Sequence, residues 1–364
     1  MTKIRRYPAK RSKRGYKWEV AYPKPDGKWT RKRGFETQRD AQLWAEQNGS
    51  NVQAGTYIAP ADGRLTVEEL GKQWLSRQSH WKPSYRRTQE STWHIHVLPT
   101  WGPTKIKDIR KSQVETWAAQ LSSTHSPSTV LRAIGILGCI LDTAVEDRLI
   151  AVNPARQLRN LPRKKTRSDH AYLTHAQVEA LANASGSWAT LIYLACYTGL
   201  RWGELAGLRV KHLQFDKKRV LVRENAVEVG SKIIVGTPKG HENRDVPLPE
   251  FLVEKLMLHC EGKSPDDLVF TAPRVGGHIR RPKSGRSWFA SAVKAARIEG
   301  AFTPHDMRHT TASLAVQAGA NVKVIQRMLG HESAALTLDT YADLFDDDLD
   351  SVAVALDTAR SRFA

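Results

Sequence analysis

The sequence predicts a multidomain protein in which a small, basic three-stranded sheet plus helix is followed by an all-α bundle and then by a mixed α+β domain. Three observations carry this reading. The chain has 364 residues, more than one typical domain and suited to two or three. Strand-like alternation is confined to the first sixth of the chain and to a stretch near residues 219–249, while capped helical periodicity fills the rest. The formal net charge of +19 is also unevenly spread, since residues 1–60 hold fourteen Lys and Arg against five Asp and Glu.

Composition narrows the function classes. A hydrophobic content of 40% with eleven tryptophans is ample for packed cores and excludes a wholly disordered chain. No run of about eighteen apolar residues is present, so no membrane span and no membrane partner is expected. The N-terminus, "MTKIRRYPAKRSKRGYKW", is basic but lacks the apolar stretch of a signal peptide, which predicts a cytoplasmic protein. Cys139, Cys196 and Cys260 are odd in number and widely spaced, and read as reduced core residues without disulfide or zinc roles. Such an excess of positive charge calls for a polyanion, and nucleic acid fits better than a membrane surface.

Residues 1–60 form the first segment. "YKWEVAY" alternates Tyr16, Trp18, Val20 and Tyr22 on one face, as a strand does. "PKPDG" is a turn in which Pro restricts φ and Gly27 accepts a positive one. "KWTRKRGF" returns as a strand carrying Lys28, Arg31, Lys32 and Arg33, and Thr37 with Asp40 caps the helix "AQLWAEQ". A basic ribbon of this kind can enter a DNA major groove, with Lys28, Arg31, Lys32 and Arg33 on phosphates or guanine edges.

Residues 64–155 read as helical throughout. Thr66 with Glu69 and Ser112 with Glu115 look like capping boxes heading "VEELGKQWL" and "QVETWAAQL". "PSYRRTQESTWHIHVL" and "SPSTVLRAIGILGCILDTAVEDRLI" repeat apolar residues at three- and four-residue spacing, and "NPA" ends the segment. Residues 156–169 then form a basic linker, in which Arg163, Lys164, Lys165 and Arg167 can track a nucleic-acid backbone.

The third segment, 170–364, mixes helices with a short sheet. Thr174 and Gln177 cap a helix, and "ATLIYLACYTG" is a buried helix stopped at Gly199. "RVLVRENAVEV", "SKIIVG" and "RDVPLP" read as three strands, after which helices run on toward an acidic "ADLFDDDLD" and a C-terminal apolar stretch.

Several polar residues here stand in unusual places. "TGLRWGEL" puts Arg201 just after a helix-ending glycine, with Glu204 three residues on. "TPKGHENRDVPLP" carries Lys239 at a turn between strands, with Lys232 as a weaker competitor for the same hairpin. "TPHDMRHT" supplies His305 and Arg308, "MLGHES" supplies His331, and "LTLDTYADL" supplies Tyr341. Residues three apart in a helix share a face, so His305 and Arg308 can point at one group; His309 is read as structural. Taken singly, each has an ordinary reading: Tyr341 as a packing residue, His331 as a helix cap, Arg201 with Glu204 as a surface ion pair worth little.

The ordered set Arg, Lys, His-x-x-Arg, His, Tyr, with the last His ten residues before the Tyr, resembles the tyrosine site-specific recombinases, specifically phage-type integrases related to lambda integrase. The signature is tightest over 303–345, and a looser likeness covers the whole chain. One departure stands on the hairpin, where "PKGHEN" replaces the threonines or serines that often flank the lysine in this family.

This resemblance implies a DNA strand-breaking and rejoining enzyme that integrates or excises a phage or mobile-element genome through a 3′-phosphotyrosyl intermediate. Arg201 and Arg308 would clamp the phosphate, His305 would assist proton transfer, and Lys239 would act as general acid. His331 would be a phosphate donor, Tyr341 the nucleophile, and Glu204 the positioner of Arg201. That chemistry suits these residue types. A covalent phosphotyrosine retains the bond energy, so no ATP or other cofactor is needed, and guanidinium groups can carry the charge that a metal ion carries elsewhere. The implied partners are double-stranded DNA attachment sites of arm type, for residues 1–60, and of core type, for residues 64–155. A homotetramer on DNA, a host DNA-bending protein and an excision factor complete the set. The C-terminal tail is expected to pack on a neighbouring subunit. Rival readings are a host-type chromosome-resolving recombinase, a type IB topoisomerase and, from another class, a DNA-binding regulator without catalysis.

Overall fold

In the computed structural model the described residues are 2–24, 27–53, 64–163, 171–238, 243–273 and 275–341, with 354, 356–358, 360 and 361 near the C-terminus. The chain divides into two compact units, Met1–Lys165 and Thr166–Ala364.

The first unit opens with an antiparallel sheet in the order β1 (Lys3–Pro8), β2 (Tyr16–Pro23), β3 (Trp29–Phe35), backed by α1 (Gln38–Gln53). The alternation in β2 sorts its side chains: Trp18, Val20 and Tyr22 are buried in a small core with Ala41 and Trp44. The outer face is set by register, in which Arg5 pairs with Glu19 and Glu19 with Arg33, while Lys3 pairs with Ala21 and Ala21 with Arg31. β1 supplies the strand that the alternation in the next two leaves unspecified. Thr37 caps α1 as expected, its hydroxyl accepting the Asp40 N–H at 3.1 Å.

A second, helical core in this unit gathers α2 (Val67–Ser76), α3 (Pro83–Thr92), α4 (Leu98–Trp101), α5 (Lys111–Thr124) and α6 (Pro127–Glu146). Thr66 and Glu69 make the full capping box. Ser112 and Glu115 do not. α5 starts at Lys111, and the Gln113 side chain accepts from the Arg110 N–H, while Glu115 accepts from the backbone N–H of Arg159 at 3.0 Å. Between α3 and α4 a π-turn, Trp93–Val97, adds one residue per turn and keeps both Trp93 and Val97 buried. α6 is long and apolar enough to cross a membrane, and it forms the centre of this core, with Leu137, Ile140 and Leu141 fully buried. The expected linker begins inside the unit. Arg156 pairs with Asp142, Asn153 Nδ2 donates to Gly138 O at 2.8 Å, and Leu158 and Leu161 pack on the helical core.

In the second unit α7 (His175–Ala184) and the buried α8 (Ala189–Thr198) pack with α9 (Trp202–Gly207), α10 (Glu250–Cys260), α11 (Trp288–Ala295) and α12 (Asp306–Gln317). α13 (Val322–Leu329) and α14 (Ala334–Tyr341) follow. The sheet is β4 (Leu213–Gln214), β5 (Arg219–Val222) and β8 (Arg244–Pro247) in the order β4-β5-β8, and β6 (Asn225–Val229) pairs with β7 (Lys232–Gly236) as a separate hairpin. The expected single strand over 219–229 therefore breaks at Arg223 and Glu224. Arg223 is drawn to Asp245 at 2.8 Å and Glu224 to Arg209 at 3.1 Å, which turns the chain from one sheet to the next. Thr311, on α12, donates to the carbonyls of Ala195 and Cys196, fastening α12 to the end of α8.

Two glycines in the helical core of the first unit give a contrast. A Cβ on Gly71 would lie 2.3 Å from the Trp93 ring, whereas one on Gly135 meets nothing within 4 Å. Gly71→Ala is expected to destabilise by about 1–3 kcal/mol through overpacking. Gly135→Ala is expected to stabilise by up to about 1 kcal/mol through helix propensity. Denaturant unfolding of the full chain checks both signs.

Candidate active site

The site is built where helices end. α8 stops at Gly199, whose φ of 65° lets the chain turn left-handed and hand on to Arg201, the extended N-cap of α9. Glu204 then sits at the third position of α9, where it accepts from the Arg201 backbone N–H at 2.8 Å and from its Nη1 at 3.1 Å. The same carboxylate takes both terminal nitrogens of Arg244, at 2.9 and 2.7 Å. The expected pairing of Glu204 with Arg201 is present, and it is half of a triad centred on a buried carboxylate.

α13 ends at Gly330, with φ 64°, which turns its last carbonyls outward. Each of the last three binds a different guanidinium. Arg244 Nε donates to Met328 O at 2.9 Å, Arg308 Nη2 to Leu329 O, and Arg201 Nη2 to Gly330 O at 2.8 Å. Arg308 Nη1 also donates to Gly199 O at 2.6 Å, so one buried side chain bridges the ends of α8 and α13. The negative end of the α13 dipole attracts these cations, and the left-handed glycine exposes its acceptors.

The balance of charge is lopsided. Burial alone would push the Glu204 carboxyl up, but hydrogen bonds and charge from Arg244 and Arg201 outweigh it and hold the group below the usual carboxylate range. Burial pushes Arg308 down to about 9, with the like charges of Arg201 and Arg244 adding to the effect. Burial and then Arg308, Arg201 and Arg244 push His331 down to about 4, and burial followed by Arg308 also lowers His305. Among the described residues three guanidiniums thus gather round the Glu204 carboxylate, beside two imidazoles whose protonated forms are disfavoured. Such a cluster is complementary to an anion with several oxygens.

Tyr341 closes the site. It is the last residue of α14 and almost wholly buried, packed with Ala312, Val316, Ile325 and Leu329. Its ring stacks on His331 with centroids 6.3 Å apart and planes 12° apart, and its hydroxyl lies 2.9 Å from His309 Nδ1. Burial pushes the phenol up to about 12 against the pull of Arg308, so it carries its proton at neutral pH. His331 Nδ1 is 2.8 Å from Thr337 Oγ1, which fixes that ring from the α14 side.

Of the residues singled out by sequence, Arg201, Glu204, His305, Arg308, His331 and Tyr341 come together here. Lys239 lies outside the described residues, as does the acidic tail segment 342–353; Lys232 is exposed at the start of β7. Two members were missed. Arg244 opens the strand "RDVPLP", where its place directly after the hairpin was the available signal, and His309 was passed over as structural.

The basic ribbon also sorts itself. Arg31 and Arg33 share the outer sheet face with Lys3 and Arg5, while Lys32 pairs with Val20 and so lies on the helix side; Lys28 is exposed in the turn before β3. On the outer face Glu19 is covered by Arg5 at 2.5 Å and Arg33 at 2.7 Å, whose hydrogen bonds hold its carboxyl below the usual range against the cost of burial. Arg33 also lies over the Tyr7 ring, 5.2 Å from its centroid. Arg163 is exposed at the end of the helical unit, and Lys164, Lys165 and Arg167 lie outside the described residues.

Glu204→Gln leaves the half-buried guanidiniums of Arg201 and Arg244 without their buried counter-charge and is expected to cost about 2–3 kcal/mol of stability near neutral pH. Because the folded carboxyl titrates below its ordinary value of 4.5, the wild-type advantage is full above that value. It is lost as pH falls through the lower folded value. Unfolding free energies of the two proteins measured from pH 7 to pH 3 should converge at the acid end.

The phage integrase family profile matches residues 171–347, and that of the phage integrase central domain matches residues 67–161. The chain is similar to the integrase of Mycobacterium phage D29, with 26% identity over 346 residues covering 90% of each chain. It is 30% identical over 247 residues to a tyrosine recombinase of Pseudothermotoga lettingae, covering 64% of this chain and 78% of that one. Its fold is similar to that of the Tn1549 transposon integrase in complex with transposon right end DNA, with a TM-score of 0.68 and 24% identity over 79% of this chain and all of that one. It is also similar to a lambda integrase tetramer bound to a Holliday junction, with a TM-score of 0.58 and 16% identity over 90% of this chain and 96% of that one. With its central and C-terminal parts both matched and a bacterial recombinase at this level of identity, the chain belongs to the phage integrase family of tyrosine recombinases.

Proposed function

We propose that this enzyme is a site-specific DNA recombinase that integrates or excises a mobile genome by cutting and rejoining DNA at Tyr341. The observation that carries the reading is a buried tyrosine, within the electrostatic reach of Arg308 and stacked on His331, beside a cluster in which Arg201 and Arg308 bind successive carbonyls at the end of α13. In the first step the Tyr341 oxygen attacks the phosphorus of a strand, the bond to the 5′ oxygen breaks, and the protein is left joined to the 3′ phosphate. Arg201 and Arg308 hold the non-bridging oxygens, on which charge builds, and a neutral His331 adds a donor. Lys239 gives the leaving 5′ oxygen its proton, with His305 assisting proton transfer. Attack by a 5′ hydroxyl from another strand reverses these steps and joins the new partner.

In this reading residues 1–60 bind arm-type sites, 64–155 bind core-type sites and 170–364 carry the chemistry, with the basic stretch 156–169 along the backbone between them. The neighbour seen as a tetramer on a Holliday junction supports a working assembly of four copies on DNA. A host DNA-bending protein and an excision factor are the accessory partners such an assembly would use, and the phage and prophage integrases among its relatives support a site of action on DNA inside a bacterial host cell.

A suicide DNA substrate that loses its 5′ fragment after cleavage should trap a covalent protein–DNA adduct on a denaturing gel, and Tyr341→Phe should form none. A wild-type protein that binds its site yet yields no adduct would make the chain a regulator instead. For the ribbon, Arg31→Ala or Arg33→Ala should each weaken arm-site binding and reduce the slope of log K against log salt by about 1 if the side chain meets a phosphate. An unchanged slope in both variants would remove the outer face from the interface.

A further inference from the structure

The reaction leaves one proton unassigned: the one the phenol must lose as it attacks. From the 2.9 Å contact between His309 Nδ1 and the Tyr341 hydroxyl, we infer that His309 takes this proton during cleavage and returns it during rejoining. The inference rests on Tyr341 being the nucleophile, and it names a further catalytic residue, since His309 touches the reacting oxygen itself.

Several features of the site lead to this assignment. His309 is buried on α12, directly after Arg308, so the acceptor and a phosphate-holding side chain share one rigid helix. Its partner is buried too, and burial keeps the phenol protonated at neutral pH, so attack requires an acceptor in place. Among the described residues, these charged and titratable groups lie around the pair. On α12 itself, His305 packs edge-on to His309 with centroids 5.0 Å apart, and Arg308 is adjacent in sequence. From the other elements Tyr341 is stacked by His331 and approached by Tyr172, at 6.5 Å between ring centroids. His331 meets the face of the phenol ring, whereas His309 meets its oxygen.

The step balances. The phenol O–H bond breaks and its proton moves to Nδ1 of a His309 ring whose other nitrogen carries hydrogen. The oxygen pair forms the bond to phosphorus, and the departing 5′ oxygen takes a proton from Lys239. In rejoining, the 5′ hydroxyl gives its proton back through Lys239, and the imidazolium protonates the released phenol oxygen. Holding the phenol ready beside the acceptor is the ordering that general base catalysis needs.

The test uses the full chain on a suicide substrate whose scissile 5′ oxygen is replaced by sulfur, a leaving group that needs no proton. His309→Asn puts an amide atom where Nδ1 stands, so it can hold the hydroxyl but cannot take its proton. Adduct formation should slow by about 10²–10⁴-fold, and the fall in rate toward acid pH that protonation of the acceptor causes should disappear. His305→Asn should keep that acid-side fall. Affinity for the same DNA, together with His309→Gln as a second variant, verifies that the fold is retained. A His309→Asn rate within twofold of wild type would overturn the inference. So would a slow variant with an unchanged pH profile, since His309 would then only position the tyrosine. Absence of adduct in the wild-type protein would strike the functional reading itself, a separate outcome.

Discussion

Three consecutive carbonyls at the end of one short helix organise the candidate active site. Met328, Leu329 and Gly330 each accept a guanidinium, from Arg244, Arg308 and Arg201, and those arginines come from a strand, a buried helix and a helix N-cap. Those acceptors let three like charges settle close together, with the Glu204 carboxylate as their counter-charge among the described residues. The arrangement explains why α13 must stop at a left-handed residue, and why His331 follows at once: the turn that exposes the carbonyls also delivers the imidazole. Cations gathered this closely need stabilising whatever they bind, and a helix terminus supplies it with partial charge alone. It leaves the remaining donor hydrogens for the substrate.

The same economy runs through the rest of the site. α12 is buried along nearly its whole length, including Asp306, Arg308, His309 and three threonine or serine hydroxyls, which is unusual for a helix of such low apolar content. Its polar groups are satisfied locally: Asp306 accepts from Thr303, Thr310 donates to the Asp306 carbonyl, and Thr311 reaches across to α8. Rigidity of this kind serves a phosphoryl-transfer site, where a displacement of about 1 Å costs orders of magnitude in rate. Tyr341, by contrast, comes from the short α14, whose packing cluster is small.

Much of this was readable beforehand, for reasons that can be named. The succession of a small sheet, a helical core and a mixed α+β part followed from charge distribution and from two distinct periodicities. Arg201, Glu204, His305, Arg308, His331 and Tyr341 were singled out because their types and order are rare together, and the fold brings them close although they lie far apart in the chain. What escaped was whatever depends on three-dimensional register. Lys32 was grouped with Arg31 and Arg33 by proximity, and only pairing with Val20 shows that it lies on the other face. The single strand over 219–229 looked continuous because β-branched residues flank the break, while the ion pairs that cause it involve residues distant in sequence. Arg244 looked like an ordinary strand residue, and its three acceptors come from Glu204 and Met328, 40 and 84 positions away. His309 was read as packing because a histidine beside an arginine is ordinary until the phenol is seen next to it.

The carboxylate of Glu19 has a role beyond neutralising its neighbours. It sits on the middle strand with an arginine tethered on either side, so it sets the lateral spacing of two guanidiniums as a template sets the pitch of a thread. With adjacent strands about 4.8 Å apart, the two heads are held at a distance dictated by backbone geometry rather than by side-chain flexibility. A face ordered in this way gives up little freedom on meeting a partner, and it favours partners whose own charges repeat at a matching interval.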